Sequence, residues 1–406
     1  MKMSRPYPAL SVSAKGEHSI KNGHPWVYGQ ELRVREGTPV NGQLADVFAG
    51  NAWLGTGFYN DNSKITLRLI SRNANDRFDD AFWGRRVSYA LAYRQTVMPG
   101  ADFSCCRLVH GEADQMPGLT VDRYQDLLSV QITSLGMEQV RDTVLTALVE
   151  QLRDMGEEIR GVYLRNDIAL REREGMEQEK GWWPGMEHPD SAVTEITENG
   201  VRYLVDVENG QKTGFFLDQK YNRQAAARLA RGKRVLDCFT HTGSFGLNAA
   251  LGGAKWVHSV DISAPAIEMA RANAQRNGLD NIDFETADVF ALLTRLSEAH
   301  CRDYDYIILD PPAFTKSRET AEQAHKGYKE INLRAMKLLP RGGYLATCSC
   351  SHFMPERDFR RMLREAAWDA GVALRQIEAR QQSPDHPILW NVPETEYLKF
   401  FLFQVV

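Results

Sequence analysis

Cysteine is scarce in this chain and is not arranged for crosslinking: six occur among 406 residues, at positions 105, 106, 238, 301, 348 and 350. That usage excludes a disulfide framework and suits a reducing compartment. No run of eighteen nearly apolar residues is present, and "MKMSRPYPALSVSAKGEHSIKNGHPW" lacks an apolar core followed by a small-residue cleavage site. Neither a membrane span nor a secretory leader is expected, and the predicted location is the cytoplasm. Charge of one sign is also lacking, the formal net charge being -4. Only the first 75 residues lean basic, with nine Lys or Arg against five acidic residues, which is weak support for a polyanionic partner. Cys348 and Cys350, in "YLATCSCSHF", have neither zinc-knuckle nor Cys-x-x-Cys spacing, so no metal and no redox pair is expected. The dinucleotide fingerprint GxGxxG is missing, which disfavours a dehydrogenase.

What is there changes character along the chain. From Leu10 to about Ile70, short apolar stretches are broken by Gly, Pro, Asn and Asp, which predicts a small barrel-like β domain over 1–75. Its Trp26, Tyr28, Trp53, Phe58 and Tyr59 fit an ordinary β core better than an RNA-stacking surface. "DRFDDAFWGRRVSYALAYRQTV" has helical periodicity, and the strand-like and helical runs after it predict a linker helix and an α+β middle domain over 76–190. Within it, "REREGMEQEKGWWPGMEHPD" is expected to be a surface loop or insertion, with no role evident for Trp182 and Trp183. Over 191–406, "VRYLVDVENGQKTGFFLDQKYNR" predicts a hairpin, a loop and a helix. Alternating apolar strands and helices then predict a mostly parallel, Rossmann-like sheet covered by helices.

Four acidic residues follow apolar strands of that last region. In "VLDCFTHTGSFGLNAALGG", Asp237 ends a strand, and Gly243 and Gly246 allow close backbone approach before a helix whose N–H groups can meet polar atoms. Asp261 ends "WVHSVD", where an acid can take a ribose hydroxyl. Asp288, in "ETADVF", can accept from an exocyclic amine or simply cap a helix. Asp310 precedes two prolines that stiffen the strand edge in "IILDPPAF". Phe314 can stack on a base or anchor its loop, and Lys316, Arg318, Lys326 and Lys329 form either a solvated face or a phosphate contact. The four strand ends share the carboxyl edge, where open α/β sheets bind ligands.

This order of residues resembles the class I S-adenosylmethionine-dependent methyltransferases, and within them the RlmI-type group of large-subunit ribosomal RNA (cytosine-5) methyltransferases. "GHPWVYGQEL" looks like the start of that group's PUA domain, an RNA-binding β module, while "GFFLDQKYNR", "DPPAFTKS" and T-C-S-C-S look like its catalytic signatures. The resemblance implies S-adenosylmethionine as cofactor, contacted by Phe216, Asp218, Arg223, Asp237, Phe239, Thr242, Gly243, Asp261, Ile262, Asp288, Asp310 and Pro311. Lys220, His241 and Ser244 depart from the commoner wording. The resemblance also implies ribosomal RNA as substrate and a homodimer, with Cys350 as nucleophile at cytosine C6 and Asp310 steadying the base. Pro312, Phe314 and Lys316 would lie near the base, and Lys21, Arg33 and Arg35 are candidate phosphate contacts. Cys350 is preferred to Cys348, whose side chain is expected to point differently in an extended strand. Methylation of another base atom, such as a ring or exocyclic nitrogen, needs no thiol. A noncatalytic RNA-binding assembly factor would retain the fold without turnover.

Overall fold

Short apolar runs and tight turns build a six-stranded sheet at the start of the chain. Its strands lie in the order Trp26–Val27, Leu67–Ser71, Ala52–Tyr59, Leu44–Ala49, Ala9–Val12, Leu32–Glu36. In this computed structural model, which describes residues 5–315 and 320–406, the sheet encloses a core of Leu10, Ile20, Val27, Val47, Leu67 and Leu69. The aromatic residues serve packing: buried Phe58 stacks on Trp83 at 6.0 Å, Trp26 Nε1 donates to Glu112 at 2.9 Å, and Arg5 lies over Trp53. The helix Asp80–Val97 follows, capped by Asp79, whose carboxylate accepts from the Phe82 N–H. A second sheet runs Glu179–Trp182, Gly161–Asn166, Leu127–Ile132, Leu119–Tyr124, Cys105–His110, with the helix Arg141–Asp154 in the connection.

The polar stretch from Arg171 corrects the expectation of a surface loop. Glu179–Trp182 pairs antiparallel with Gly161–Asn166, and Trp183 is buried, donating from Nε1 to Asp142 at 2.9 Å. Trp182 stacks on His188 at 4.9 Å. Buried Glu174 takes two hydrogen bonds from Arg68, at 2.8 and 3.1 Å, and another from Asn60 Nδ2. Composition misleads here because charged residues enter a core when they are paired and hydrogen-bonded.

The chain divides into two units. The first contains the residues through Ile196 together with Val205–Leu217 and Pro384–Thr395; the second contains Thr197–Leu204, Asp218–Ser383 and Glu396–Val406. Segments 205–217 and 384–395 thus pack with the first unit, although both lie within the expected 191–406 region. In the second unit the helix Lys220–Ala230 leads into β1 (Arg234–Cys238), α1 (Ser244–Leu251), β2 (Trp256–Asp261), α2 (Ala264–Arg276), β3 (Ile282–Thr286) and α3 (Val289–Glu298). Next come β4 (Tyr306–Leu309), α4 (Ala321–Leu338), β5 (Tyr344–Ser349), α5 (Glu356–Ala370), β6 (Leu374–Arg380) and β7 (Lys399–Val405). The sheet order is β3-β2-β1-β4-β5-β7-β6, parallel through β5, with β7 antiparallel to both neighbours. Order reverses between β1 and β4, and ligands bind beyond the carboxyl ends of strands at such a switch point. Every residue of β4 is buried, as expected for a central strand covered on both faces.

Removing one partner of a buried ion pair leaves an uncompensated charge. Glu174→Gln should therefore lower unfolding free energy by about 3 kcal/mol, measured as a lower urea midpoint for the transition of the first unit.

Candidate active site

The β1 end is organised by a carboxylate that has no counter-ion among the described residues. Asp237 is fully buried; its Oδ2 accepts from the Thr240 hydroxyl and, at 3.1 Å, from Ser259 Oγ, while its Oδ1 has no partner. Burial, partly offset by these hydroxyl bonds, pushes the group up to about 7. The loop after it turns through three left-handed residues, Phe239 (φ 64°), His241 (φ 52°) and Gly243 (φ 87°). Two are not glycine, so backbone strain is stored there. The loop is fixed to β2: the Thr240 N–H donates to Val260 O at 3.0 Å and the His241 N–H to Asp261 Oδ2 at 2.9 Å. Gly246 has no room for a side chain, since a Cβ would fall 2.1 Å from Ser259 Oγ and 2.8 Å from Asp237 Oδ2.

Three features at this edge suit a nucleoside-containing cofactor. Half-buried Asp261 is oriented by two backbone donors, His241 and Ser263, each at 2.9 Å. Next to it Ile262 is 70% exposed, an apolar surface at a strand end. Thr242 Oγ1 is buried without a hydrogen-bond partner, like Asp237 Oδ1. Asp288 is exposed, and its Oδ1 caps α3 by accepting from the Ala291 N–H at 2.8 Å.

Other expected contacts have protein partners. Arg223 forms a buried bidentate pair with Glu198, at 2.6 and 2.8 Å. Asp218 Oδ2 accepts from the Tyr397 hydroxyl at 2.8 Å, and Lys220 is buried. Phe216 falls in the first unit, with Lys212 over its ring at 4.8 Å. Lys21 pairs with Glu17, Arg33 Nη1 donates to Leu32 O at 2.7 Å, and Arg35 covers Phe48 at 5.1 Å. Lys316 and Arg318 lie outside the described residues.

At the ends of β4 and β5, Asp310 Oδ1 accepts from Cys348 Sγ at 2.8 Å and from Gln219 Nε2 at 3.1 Å. Gln219 had no sequence signal beyond its place in "FFLDQKYNR"; the turn Leu217–Gln219 brings it from outside the sheet. Burial is the leading cause that pushes Asp310 up to about 6, against the hydrogen bond from Cys348. Burial, followed by the Asp310 charge, also pushes Cys348 far above the ordinary thiol range, which makes it a poor thiolate. Residues two apart in a strand share a face, and Cys350 lies beyond the strand end, so strand alternation does not distinguish the two cysteines as expected. Depth does: Cys348 is 1% exposed within β5, while Cys350 lies past the strand end and is half-buried. Pro311 is buried and Pro312 exposed, and Phe314 packs on Tyr328 at 4.6 Å and Phe290 at 5.8 Å, which anchors its loop.

A parallel sheet with a glycine loop after its first strand and acids at successive strand ends defines a nucleoside-cofactor α/β enzyme. The chain belongs to the S-adenosylmethionine-dependent methyltransferase family, whose model matches residues 106–404, and residues 10–72 match a PUA-like domain. Its relatives include proteins named ribosomal RNA large subunit methyltransferase I. That of Aeromonas salmonicida is 41% identical over 94% of this chain and 96% of its own, and that of Klebsiella pneumoniae 36% identical over 98% and 99%. Among solved structures, an S-adenosylmethionine-dependent methyltransferase from Streptococcus mutans shares the fold with a TM-score of 0.81 at 23% identity, covering 98% of this chain and 100% of that one. A methyltransferase complexed with SAH does so with 0.83 at 23% identity and the same coverage. The cofactor is S-adenosylmethionine, and the unpartnered Asp237 and Thr242 oxygens, the oriented Asp261 carboxylate and the uncovered Ile262 fit it.

Asp310, raised from an ordinary value near 3.9, binds its proton more tightly in the folded state. Its contribution to stability is full below about pH 4 and is lost as pH rises through about 6. Asp310→Asn should accordingly gain thermal stability over the wild type by a few degrees at pH 8 and by none at pH 4, read from melting curves across that range.

Proposed function

We propose that this methyltransferase acts on C5 of a cytosine in large-subunit ribosomal RNA through a covalent Cys350 adduct. The observation that carries the reading is the placement of an elevated carboxylate, Asp310, and a half-buried thiol, Cys350, beyond adjacent strands of the same sheet. The relatives' names and the PUA-like domain support ribosomal RNA as substrate.

Cytosine C5 is a weak nucleophile. Attack of the Cys350 thiolate at C6 forms an S–C6 bond and moves the C5–C6 π electrons toward C5, with negative charge spreading to the O2 and N3 side. Asp310, ionising near pH 6, has a protonated fraction that can donate to N3 as that charge develops. S-adenosylmethionine supplies the electrophilic methyl group. Loss of the C5 proton to a base then restores the double bond as the S–C6 bond breaks and the thiolate leaves. Asp261, Asp288, Ile262 and the loop from Phe239 to Gly243 would hold the cofactor, and the base would lie beside Pro312 and Phe314. The expected 1–75 and 76–190 domains would grip the RNA, through Lys21, Arg33 and Arg35 among others, and the 191–406 domain would receive a splayed cytosine.

One observation favours a second reading: the thiol that touches Asp310 belongs to Cys348, not Cys350. An Asp-Pro-Pro edge serving methyl transfer to a base nitrogen would need no free thiolate. To decide, wild type, Cys350→Ala and Cys348→Ala are incubated with labelled S-adenosylmethionine and ribosomal RNA lacking the modification, and the labelled nucleoside is identified by mass spectrometry. Labelled 5-methylcytidine should form with wild type, more slowly with Cys348→Ala, and not with Cys350→Ala. A label on nitrogen that survives Cys350→Ala sinks the covalent reading.

A further inference from the structure

Among the described residues, Lys399 is an ammonium buried close to the proposed nucleophile without a carboxylate in ion-pair contact. Lys399 opens β7 inside the apolar run "KFFLFQV", is 4% exposed, and pairs across the sheet with Ser349, the residue before Cys350. Its Nζ donates to Ser351 O at 2.6 Å and Tyr397 O at 2.8 Å, both neutral carbonyls. Among the described residues no acidic side chain forms an ion pair with it. Lysine is almost never this buried unless paired, because a desolvated charge is costly. The two carbonyls use two of its three donors and supply no opposite charge.

The charged and titratable groups acting on Lys399 are Cys350 first, then Glu396, Cys348 and Glu356. Tyr328 interacts with Cys350, and Asp310 with Cys348. Cys348 does not supply the missing anion, being the thiol that burial and Asp310 keep protonated. Glu356 is paired with Arg360 at 2.5 Å and Glu396 accepts from Gln381 at 3.0 Å, so the group beside Lys399 that can still supply a counter-charge is the half-buried cysteine whose backbone neighbour Lys399 already holds.

We propose that Lys399 is the positioning residue of the Cys350 nucleophile: its Nζ anchors the Ser351 carbonyl, and its positive charge takes the Cys350 thiolate as counter-ion. The inference rests on the covalent reading above. The proton released by Cys350 passes to solvent, and Lys399 keeps its own. Burial, which lowers Lys399 to about 8, agrees with an ammonium that has no ion-paired carboxylate and gains a counter-charge when the thiol ionises.

The test is the pH profile of Cys350 alkylation by iodoacetamide, followed peptide by peptide by mass spectrometry so that Cys301 does not interfere. In the wild type the midpoint should lie below the ordinary thiol range. Lys399→Met should raise it and slow alkylation about tenfold at pH 7, and Lys399→Arg should restore most of the rate. A Lys399→Met profile identical to the wild type overturns the proposal, whatever happens to stability or cofactor binding, because a purely structural lysine would not move a thiol midpoint. Should Lys399→Met fail to fold, the 240 nm thiolate absorbance of wild type minus Cys350→Ala decides instead, and a midpoint at or above about 8.5 overturns the proposal. Loss of the covalent reading is seen separately, as 5-methylcytidine formed by Cys350→Ala.

Discussion

The carboxylate of Asp237, buried at the end of the central strand with no cation beside it, sets the geometry around it. A hydroxyl from the loop and one from β2 reach it, with the Gly246 backbone N–H besides, so all three must stay close to β1. Gly246 is the consequence on the helix side, since any side chain would strike the same Ser259 hydroxyl and Asp237 oxygen. With α1 drawn in and the loop held to β2, the chain from Phe239 to Gly243 turns through three left-handed residues, Phe239, His241 and Gly243. The His241 N–H that orients Asp261 follows from that path, and the second donor, Ser263, is local to Asp261. A polar site at a strand end is thus fixed by satisfying one desolvated acid.

At the β4 and β5 edge the two thiols have different surroundings. Cys348, inside the strand, gives its proton to a hydrogen bond with Asp310 and is locked in the neutral form by burial. Cys350, past the last paired residue, is half-buried and has Lys399 as its cationic neighbour. One serine separates a fully buried thiol from a half-buried one because the strand ends between them. Gln219 completes the edge by donating to both Asp310 and Cys348.

The acids were legible in the sequence because a parallel α/β sheet leaves the same mark each time: an apolar run, then a polar residue at its carboxyl end. Asp237, Asp261 and Asp310 follow that mark in the structure, and Asp288 occupies the helix cap that its position allowed. Residues whose roles come from distant pairing were not legible. Glu198 claims Arg223, Glu174 claims Arg68 and draws a polar stretch into the core, and Gln219 reaches Asp310 from before the sheet begins. Lys399 was hidden for the opposite reason, a lone charge in an apolar strand whose meaning depends on what lies across the register. Periodicity records which face is buried and is silent about what waits there.

The order in which the strands are laid down adds a constraint on synthesis. β7 follows every other strand in the chain, yet it lies between β5 and β6, and before it the chain leaves the second unit at Pro384 and rejoins it at Glu396. While the protein is being made, the first unit's two sheets have all their strands long before the catalytic sheet can close. Until β7 inserts, β5 presents an open apolar edge, and the thiol segment lacks its antiparallel neighbour. Such an edge invites mispairing. The segment that carries Cys348 and Cys350 therefore gains its antiparallel neighbour only when the last strand is in place.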